Sequence, residues 1–468
     1  MTDTTGFMPN PVGLSDDLQY SLKPSAVASR TYRCSVPTAN KSSFVGGDLA
    51  IAYVPARRNC FLDTSQSYLR MTILNNETIS GNFFNLDGCG ACVINRLDVF
   101  SGSNLVETVQ GYNILYDYLL DSQLNSAQRI GLSATYGTTG GVPSTASAGA
   151  FSRKGATIAA GGKLTTCMPI LSGLVGCLAE KYLPLSLADD IRLEFSLEIN
   201  NAAVVYAAGP DASKPWSIIN MELELCIVEM SSDGMQMIES QTPFSQPVYL
   251  HASSYRHFTA NLPTNQSGQV THLVPARFAS LKSLHVLPRR SNETGSATSY
   301  SLSSRANPLI TQYQFRIGSL LVPQKQVNLK NASTTGGYAE GFMEWQRAWH
   351  ATSHAEYAGS CGSIGYNVAD AADTTVGDGG TGPGTTYNSV VAIQGTSASY
   401  NNAFAIAQEL EVFAQKNNTI MQGVNTLGAQ TFFEFQVDSS VSASYIFDYY
   451  AFFDCVFVIQ DGLISVKF

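Results

Sequence analysis

The sequence predicts an all-β protein: two consecutive antiparallel sandwiches with a few short helices inserted between strands. Three observations carry this prediction. Apolar side chains recur at every second residue along much of the chain, the period of strands with one buried face. Helical spacing is confined to three short segments. A break rich in Ser, Thr, Gln and Pro at 240–247, with Pro243 and Pro247, divides the 468 residues almost in half.

The alternation is plainest where Ile191, Leu193, Phe195, Leu197 and Ile199 interleave with Arg192, Glu194, Ser196 and Glu198. A second run places Ile219, Met221, Leu223, Leu225 and Ile227 opposite Asn220, Glu222 and Glu224. Shorter strands are predicted at 93–100, 271–274, 313–317 and 433–437. The C-terminus predicts a hairpin: Ala451, Phe453, Cys455, Phe457 and Ile459 share a face, Asp461-Gly462 supplies the positive φ of a tight turn, and 463–468 returns.

Helical spacing predicts a helix at 109–120, with Ile114, Leu115, Tyr118 and Leu119 on one side. Others are predicted at 338–350, with Phe342, Trp345 and Trp349, and at 403–415, with Ile406, Leu410 and Phe413. Each half then echoes the other. Phe100, Gly102 and Leu105 lead to the helix at Tyr112, and Ile317, Gly318 and Leu320 lead to the helix at Phe342. No repeat of solenoid or propeller period is present. Gly-, Ser-, Thr- and Ala-rich stretches at 131–162 and 359–399 are long enough to be surface insertions.

Charged residues make up only 13% of the chain, against about 25% in ordinary soluble domains. With 22 Tyr and 23 Phe, intrinsic disorder is excluded, and part of the uncharged surface is expected to face protein. No apolar run reaches 18 residues, and the first residues lack the basic start and apolar core of a secretory signal, so synthesis in the cytosol is expected. The nine Cys are scattered and expected to stay thiols.

A net charge of -9 argues against a broad nucleic-acid-coating face. Basic residues nevertheless gather early: Lys23, Arg30, Arg33, Lys41, Arg57, Arg58 and Arg70 outnumber Asp48 and Asp63 between Leu18 and Arg70. Solvation of strand faces and loops is the ordinary explanation for such residues, and contact with something anionic is the functional one.

No catalytic set emerges. Cys89-Gly-Ala-Cys92 lacks a second pair of zinc ligands, so structural thiols are expected. His350 and His354 lack the Glu of a zinc-protease helix. The glycine run from Gly379 to Gly384 lacks the Lys-Ser/Thr of a phosphate-binding loop, and Asp370, Asp373 and Asp378 lack EF-hand spacing. No nucleophile elbow or carboxylate pair is present. No cofactor, metal or catalysis is expected.

Two strand-rich halves, each with a helix before its last strands, resemble the double jelly-roll major capsid proteins of tailless or polinton-like double-stranded DNA viruses and virophages. The resemblance rests on Tyr313-Gln314-Phe315-Arg316-Ile317-Gly318 followed by Val322-Pro323, on the segment 409–426 with its Gly-Val-Asn-Thr run, and on the closing strand and hairpin from Tyr449.

That resemblance implies two tandem eight-stranded antiparallel jelly rolls, an N-terminal arm at 1–30, a first jelly roll at 31–240 and a second at 241–468. It implies a structural protein of the virion, made in the host cytoplasm, that forms a homotrimer. Its capsomers would tile an icosahedral shell beside neighbouring capsomers, penton and minor capsid proteins. Lys23, Arg30, Arg33, Arg57 and Arg58 would then lie at the inner face, toward a genome or an internal membrane. A minor virion protein at a vertex or fibre, or a carbohydrate-binding β-sandwich, are the competing readings, the last weakened by only three Trp.

Overall fold

The computed structural model describes residues 26–79, 83–124, 128, 131–138, 155–199, 202–206, 216–241, 243–291, 301–303, 305, 307–308, 310–329, 339–349, 404–412, 420–437 and 444–468. Lys23, His350, His354, the insertion at 359–399 with its glycine run and aspartates, and 139–154 of the first insertion lie outside them.

Eight principal strands form the first sandwich: β1 (Ser29–Pro37), β2 (Leu49–Val54), β3 (Cys60–Asn75), β4 (Ile94–Ser101), β5 (Asn104–Gln110), β6 (Lys163–Pro169), β7 (Ile191–Leu197) and β8 (Trp216–Met230). They pair as β1-β8-β3-β6 in one sheet and β2-β7-β4-β5 in the other, all antiparallel. Eight more form the second: β9 (Val248–Leu262), β10 (Gly268–Val274), β11 (Leu281–Arg290), β12 (Ile310–Ile317), β13 (Leu320–Asn328), β14 (Ile406–Glu409), β15 (Thr431–Val437) and β16 (Tyr445–Gln460). These pair as β9-β16-β11-β14 and β10-β15-β12-β13. The order is the same in both: first, eighth, third, sixth, then second, seventh, fourth, fifth. A last strand, β17 (Leu463–Lys467), pairs with the end of β16.

Alternation builds these strands. In β7, Ile191, Leu193, Phe195 and Leu197 are all buried and the residues between them half-exposed; the strand ends there, leaving Ile199 57% exposed. β8 departs from simple alternation. Asn220 has φ 53°, and the pairing with β3 slips between Ile219 and Glu222. This bulge puts Ile218 rather than Ile219 in the core. In the second sandwich, His272, Phe433, Phe435, Phe447 and Tyr449 fill the space between the sheets, with the Phe435 and Phe447 rings stacked 5.3 Å apart. Burial of each large side chain contributes about 1.5–3 kcal/mol.

The Asp461-Gly462 turn expected of the C-terminal hairpin is present, and glycine closes two further hairpins. Gly102 and Gly318, both at φ 59°, close β4-β5 and β12-β13, which are equivalent hairpins. Asp461 and Gly462, at φ 52° and 82°, close β16-β17.

Two of the three predicted helices form: α1 (Tyr112–Gln123) and α3 (Ala339–Arg347). Between them α2 (Ser232–Gln241), which the periodicity did not predict, joins β8 to β9. The helix expected at 403–415 is not formed in the described part of that segment. Ile406–Glu409 is instead strand β14, paired with β11 from Ser283 to Val286. Phe404, Ala405, Ile406, Ala407 and Gln408 are all buried, so the strand is covered on both faces. A short run buried on both sides carries no alternation, and its spacing matches a helix as well as a strand.

Cys89 and Cys92 are buried thiols, the first capping and the second within a 3-10 turn (Gly90–Val93) that leads into β4. Burial raises the Cys92 pKa well above the thiol range, as suits a packing residue.

Candidate functional site

Two regions stand out: the outer faces of the sheets, and the seam where the sandwiches meet. Of the expected basic residues that are described, Arg30 and Arg33 lie on β1 in the first region and Arg57 and Arg58 follow β2. Arg30 pairs with Glu229 at 2.7 Å and Arg33 with Glu224 at 3.2 Å, both across the β1-β8 ladder. Arg57, half-buried after β2, donates to the Tyr32 hydroxyl at 3.1 Å and to Cys34 Sγ at 3.2 Å. Arg58 beside it is exposed and makes no ion pair among the described residues. Arg70, on β3, pairs with Glu222 and Glu224. Sequence counting missed the acids Glu222, Glu224 and Glu229 because they lie more than 150 positions away, on β8.

The outer face of β2-β7-β4-β5 carries a row of facing residues, Tyr53–Arg192–Phe100–Leu105. The outer face of β10-β15-β12-β13 carries Leu273–Phe432–Arg316–Leu321 in the equivalent positions, with Arg and Phe exchanged. Arg192 lies 4.4 Å from the Phe100 ring centre and Arg316 lies 4.3 Å from that of Phe432. Each guanidinium also pairs with a glutamate on the seventh strand of its sandwich, Glu194 at 3.0 Å and Glu434 at 2.7 Å. The flanking residues stay open to solvent: Tyr53 39%, Leu105 52%, Leu273 53% and Leu321 40% exposed.

The faces differ in what already covers them. Part of the first faces the outer side of β9-β16 across a cleft of about 620 Å³, with Arg96, Gln110 and Ser196 opposite His257, Thr259, Asn261 and Asp448. The second has no such neighbour among the described residues.

The seam is polar and buried. Helix α1 stands in it, and eleven of its twelve residues are buried. Glu107 of β5 accepts bonds from the Ser172 hydroxyl at 2.5 Å, the Gly173 amide at 2.8 Å and the Ser254 hydroxyl of β9 at 2.5 Å. Tyr450 donates to the Gly111 carbonyl at 2.9 Å. The Tyr118 hydroxyl lies 3.0 Å from His285 Nδ1 and receives the Trp345 indole N–H at 3.0 Å. Burial drives His285 down to about 3, so it stands neutral here. Burial alone would raise the Asp448 carboxyl, but Arg289 at 2.6 Å and His257 at 2.8 Å outweigh it and hold Asp448 below the usual range.

None of these seam residues was singled out from sequence as a site. The available signal was Asp117 and Asp121, charges four apart within the apolar pattern of α1. The geometry offers welds and flat outer faces; among the described residues no cluster of three or more His, Cys, Asp or Glu is placed to hold a metal.

No protein-family model matches the chain, and no curated protein matches it. Solved structures do. PBCV-1 VP54, as fitted into a reconstruction of the virophage Sputnik, superposes with a TM-score of 0.58 at 8% identity, over 96% of this chain and 98% of that one. The chain is double jelly-roll in fold. Two further double jelly rolls are the Faustovirus major capsid protein, with a TM-score of 0.56 at 9% identity over 95% of this chain and 92% of that one, and the mavirus major capsid protein, at 0.51 and 10% over 100% and 96%.

Proposed function

We propose that this double jelly roll is a major capsid protein, a structural component of the virion whose work is association with copies of itself. The observation that carries the reading is the matched pair of outer faces. A row of the same chemistry at the same register on both sandwiches calls for partner surfaces that also recur, and another copy of the chain supplies them. Part of the first sandwich's face, at Arg96, Gln110 and Ser196, is opposed within the chain by the outer side of β9-β16. The equivalent surface of a second copy is the outer side of β1-β8, with Arg33, Glu222 and Glu224, which could oppose the bare row Leu273–Phe432–Arg316–Leu321. Repeated head to tail, that heterologous contact closes a ring, and three copies present six similar sandwiches.

The likeness to the Faustovirus and mavirus major capsid proteins supports the same reading. So does the low charge, because unpaired charges lose solvation in lateral contacts between subunits. In this reading the arm at 1–30, the first jelly roll at 31–240 and the second at 241–468 assemble as homotrimeric capsomers. These meet neighbouring capsomers, penton and minor capsid proteins in an icosahedral shell. Among the described residues, Arg57 and Arg58 have no carboxylate partner, and with Lys23 they are the groups proposed to face a genome or an internal membrane.

Native mass measurement of the purified protein tests the reading. A trimer is expected, and a chain that remains monomeric at all concentrations overturns it.

A further inference from the structure

One contact between the two sandwiches of a chain has both of its halves present a second time, unjoined. In the first sandwich the segment between β6 and β7, 170–190, reaches the second sandwich and returns. On the way out Ala179 forms an antiparallel bridge with Ala252, on the edge of β9 that β16 leaves open, and Glu180 pairs with His251 at 3.0 Å. Gly173 passes so near β9 that a Cβ there would lie 2.6 Å from the Ser253 carbonyl oxygen. On the way back Leu183 and Pro184 pair with Leu62 and Phe61 at the start of β3. Ile170, Leu171, Leu174 and Val175 of the outward limb are buried, and so is Ala252–Tyr255 of β9.

The second sandwich has the equivalent segment between β14 and β15, 410–430. It returns in the same way, with Val424 bridging Leu281 at the start of β11, the counterpart of β3. Here, however, apolar side chains stand in solvent: among the described residues of the segment, Val412, Ile420 and Leu427 are 67%, 57% and 50% exposed. The counterpart of β9 is β1, the last strand of its sheet, and no residue of β1 is buried. An open strand edge and a group of exposed apolar side chains are both surfaces that folded proteins ordinarily cover.

We propose that the flank of the second sandwich at Val412, Ile420 and Leu427 docks on the open edge of β1 in a second copy of the chain, as 170–182 docks on β9 within one copy. The proposal rests on the capsid reading above and names a surface that serves it. A second copy is the occupant because the segment and the edge are the two sides of a contact this chain already makes, and the edge of β9 is taken. The docking is also continuous with the face contact between copies: β1 is the margin of the β1-β8 surface, and Leu427 shortly precedes β15, whose Phe432 lies in the bare row. Segment and edge point to different neighbours, so the contact is heterologous and is used up in every copy once the ring closes.

A photoreactive residue, p-benzoylphenylalanine, in place of Ile420 in the full-length protein maps the contact. Trimers assembled from a mixture of light and heavy isotope-labelled chains are irradiated, and the crosslinked peptides are read by mass spectrometry. The expected product joins position 420 of one copy to Ser29–Pro37 of another, recognised by its light–heavy pairs. Ile420→Asp is expected to leave the circular dichroism spectrum unchanged and to raise the concentration needed for trimers about tenfold or more, the effect of losing one buried apolar side chain. Trimers whose crosslinks fall elsewhere or within one copy, or that form as readily with Ile420→Asp, overturn the docking and leave the capsid reading in place. A parent chain that never forms trimers overturns both.

Discussion

The Glu107 carboxylate accepts the Ser254 hydroxyl at 2.5 Å, joining β5 of one sandwich to β9 of the other. The same carboxylate holds Ser172 and the Gly173 amide, so one buried acid organises three chain segments at the seam. Its donors have no water to turn to if it is removed. Glu107→Ala is expected to lower unfolding stability by about 3 kcal/mol, since each bond to a charged group contributes roughly 1.5–3 kcal/mol. Glu107→Gln, which keeps one acceptor, should lose less. Urea denaturation of both variants checks the order.

Arg305 pairs with both Asp117 and Asp121. Arg305→Met leaves two carboxylates facing each other without it. Breaking a buried pair by removing one partner costs about 3–5 kcal/mol. Thermal unfolding should show this loss, and restoring neutrality with Asp121→Asn on the same background should return part of it.

Stability should also fall in acid, through histidine. Burial holds His285 at about 3 and His272 at about 4, below the ordinary 6.5. Both stay neutral in the fold while the unfolded chain takes up protons below pH 6.5, so unfolding gains protons as pH drops from 6.5 toward 4. Each histidine contributes a slope of up to about 1.4 kcal/mol per pH unit. Denaturation midpoints measured across this range should show the slope, and His285→Gln should reduce it by about half.

Gly111 precedes α1 at φ 59°, and a Cβ there would lie 2.4 Å from the Tyr450 hydroxyl. Gly111→Ala meets both a backbone conformation that disfavours side chains and the hydroxyl that bonds the same residue's carbonyl. A loss of about 1–3 kcal/mol is expected. Tyr450→Phe on the Gly111→Ala background should recover part of it, as thermal unfolding of the single and double variants will tell.

On the outer faces the expected effect is on association, not folding. Leu321→Asp adds a charge to an exposed position of β13 and should leave the circular dichroism spectrum and unfolding midpoint within about 0.5 kcal/mol of the parent. In native mass spectra it should shift the population from trimer toward monomer. Arg57→Ser with Arg58→Ser should instead spare the trimer and reduce particle assembly or genome retention.

The strand pattern was legible wherever one face of a strand met the core and the other met solvent. Ile191–Leu197 and Thr431–Val437 alternate without a break. The Asp461-Gly462 turn could be read too, because positive φ selects residue type locally. Reading failed where burial was two-sided, at β14, and where a bulge shifted the phase, at Asn220.

The sequence by itself therefore determined the β class, the two α-helices built on clear apolar spacing, and the echo between halves. These depend on residues within a few positions of one another. Only the tertiary structure decided that Arg33 meets Glu224, that Glu107 meets Ser254, that Arg305 meets Asp117, and that two four-residue rows match across four strands each. Apart from the hairpin pairs within each row, such partners lie scores to hundreds of positions apart, and nothing local in either member reports the distance between them once the sheets have closed.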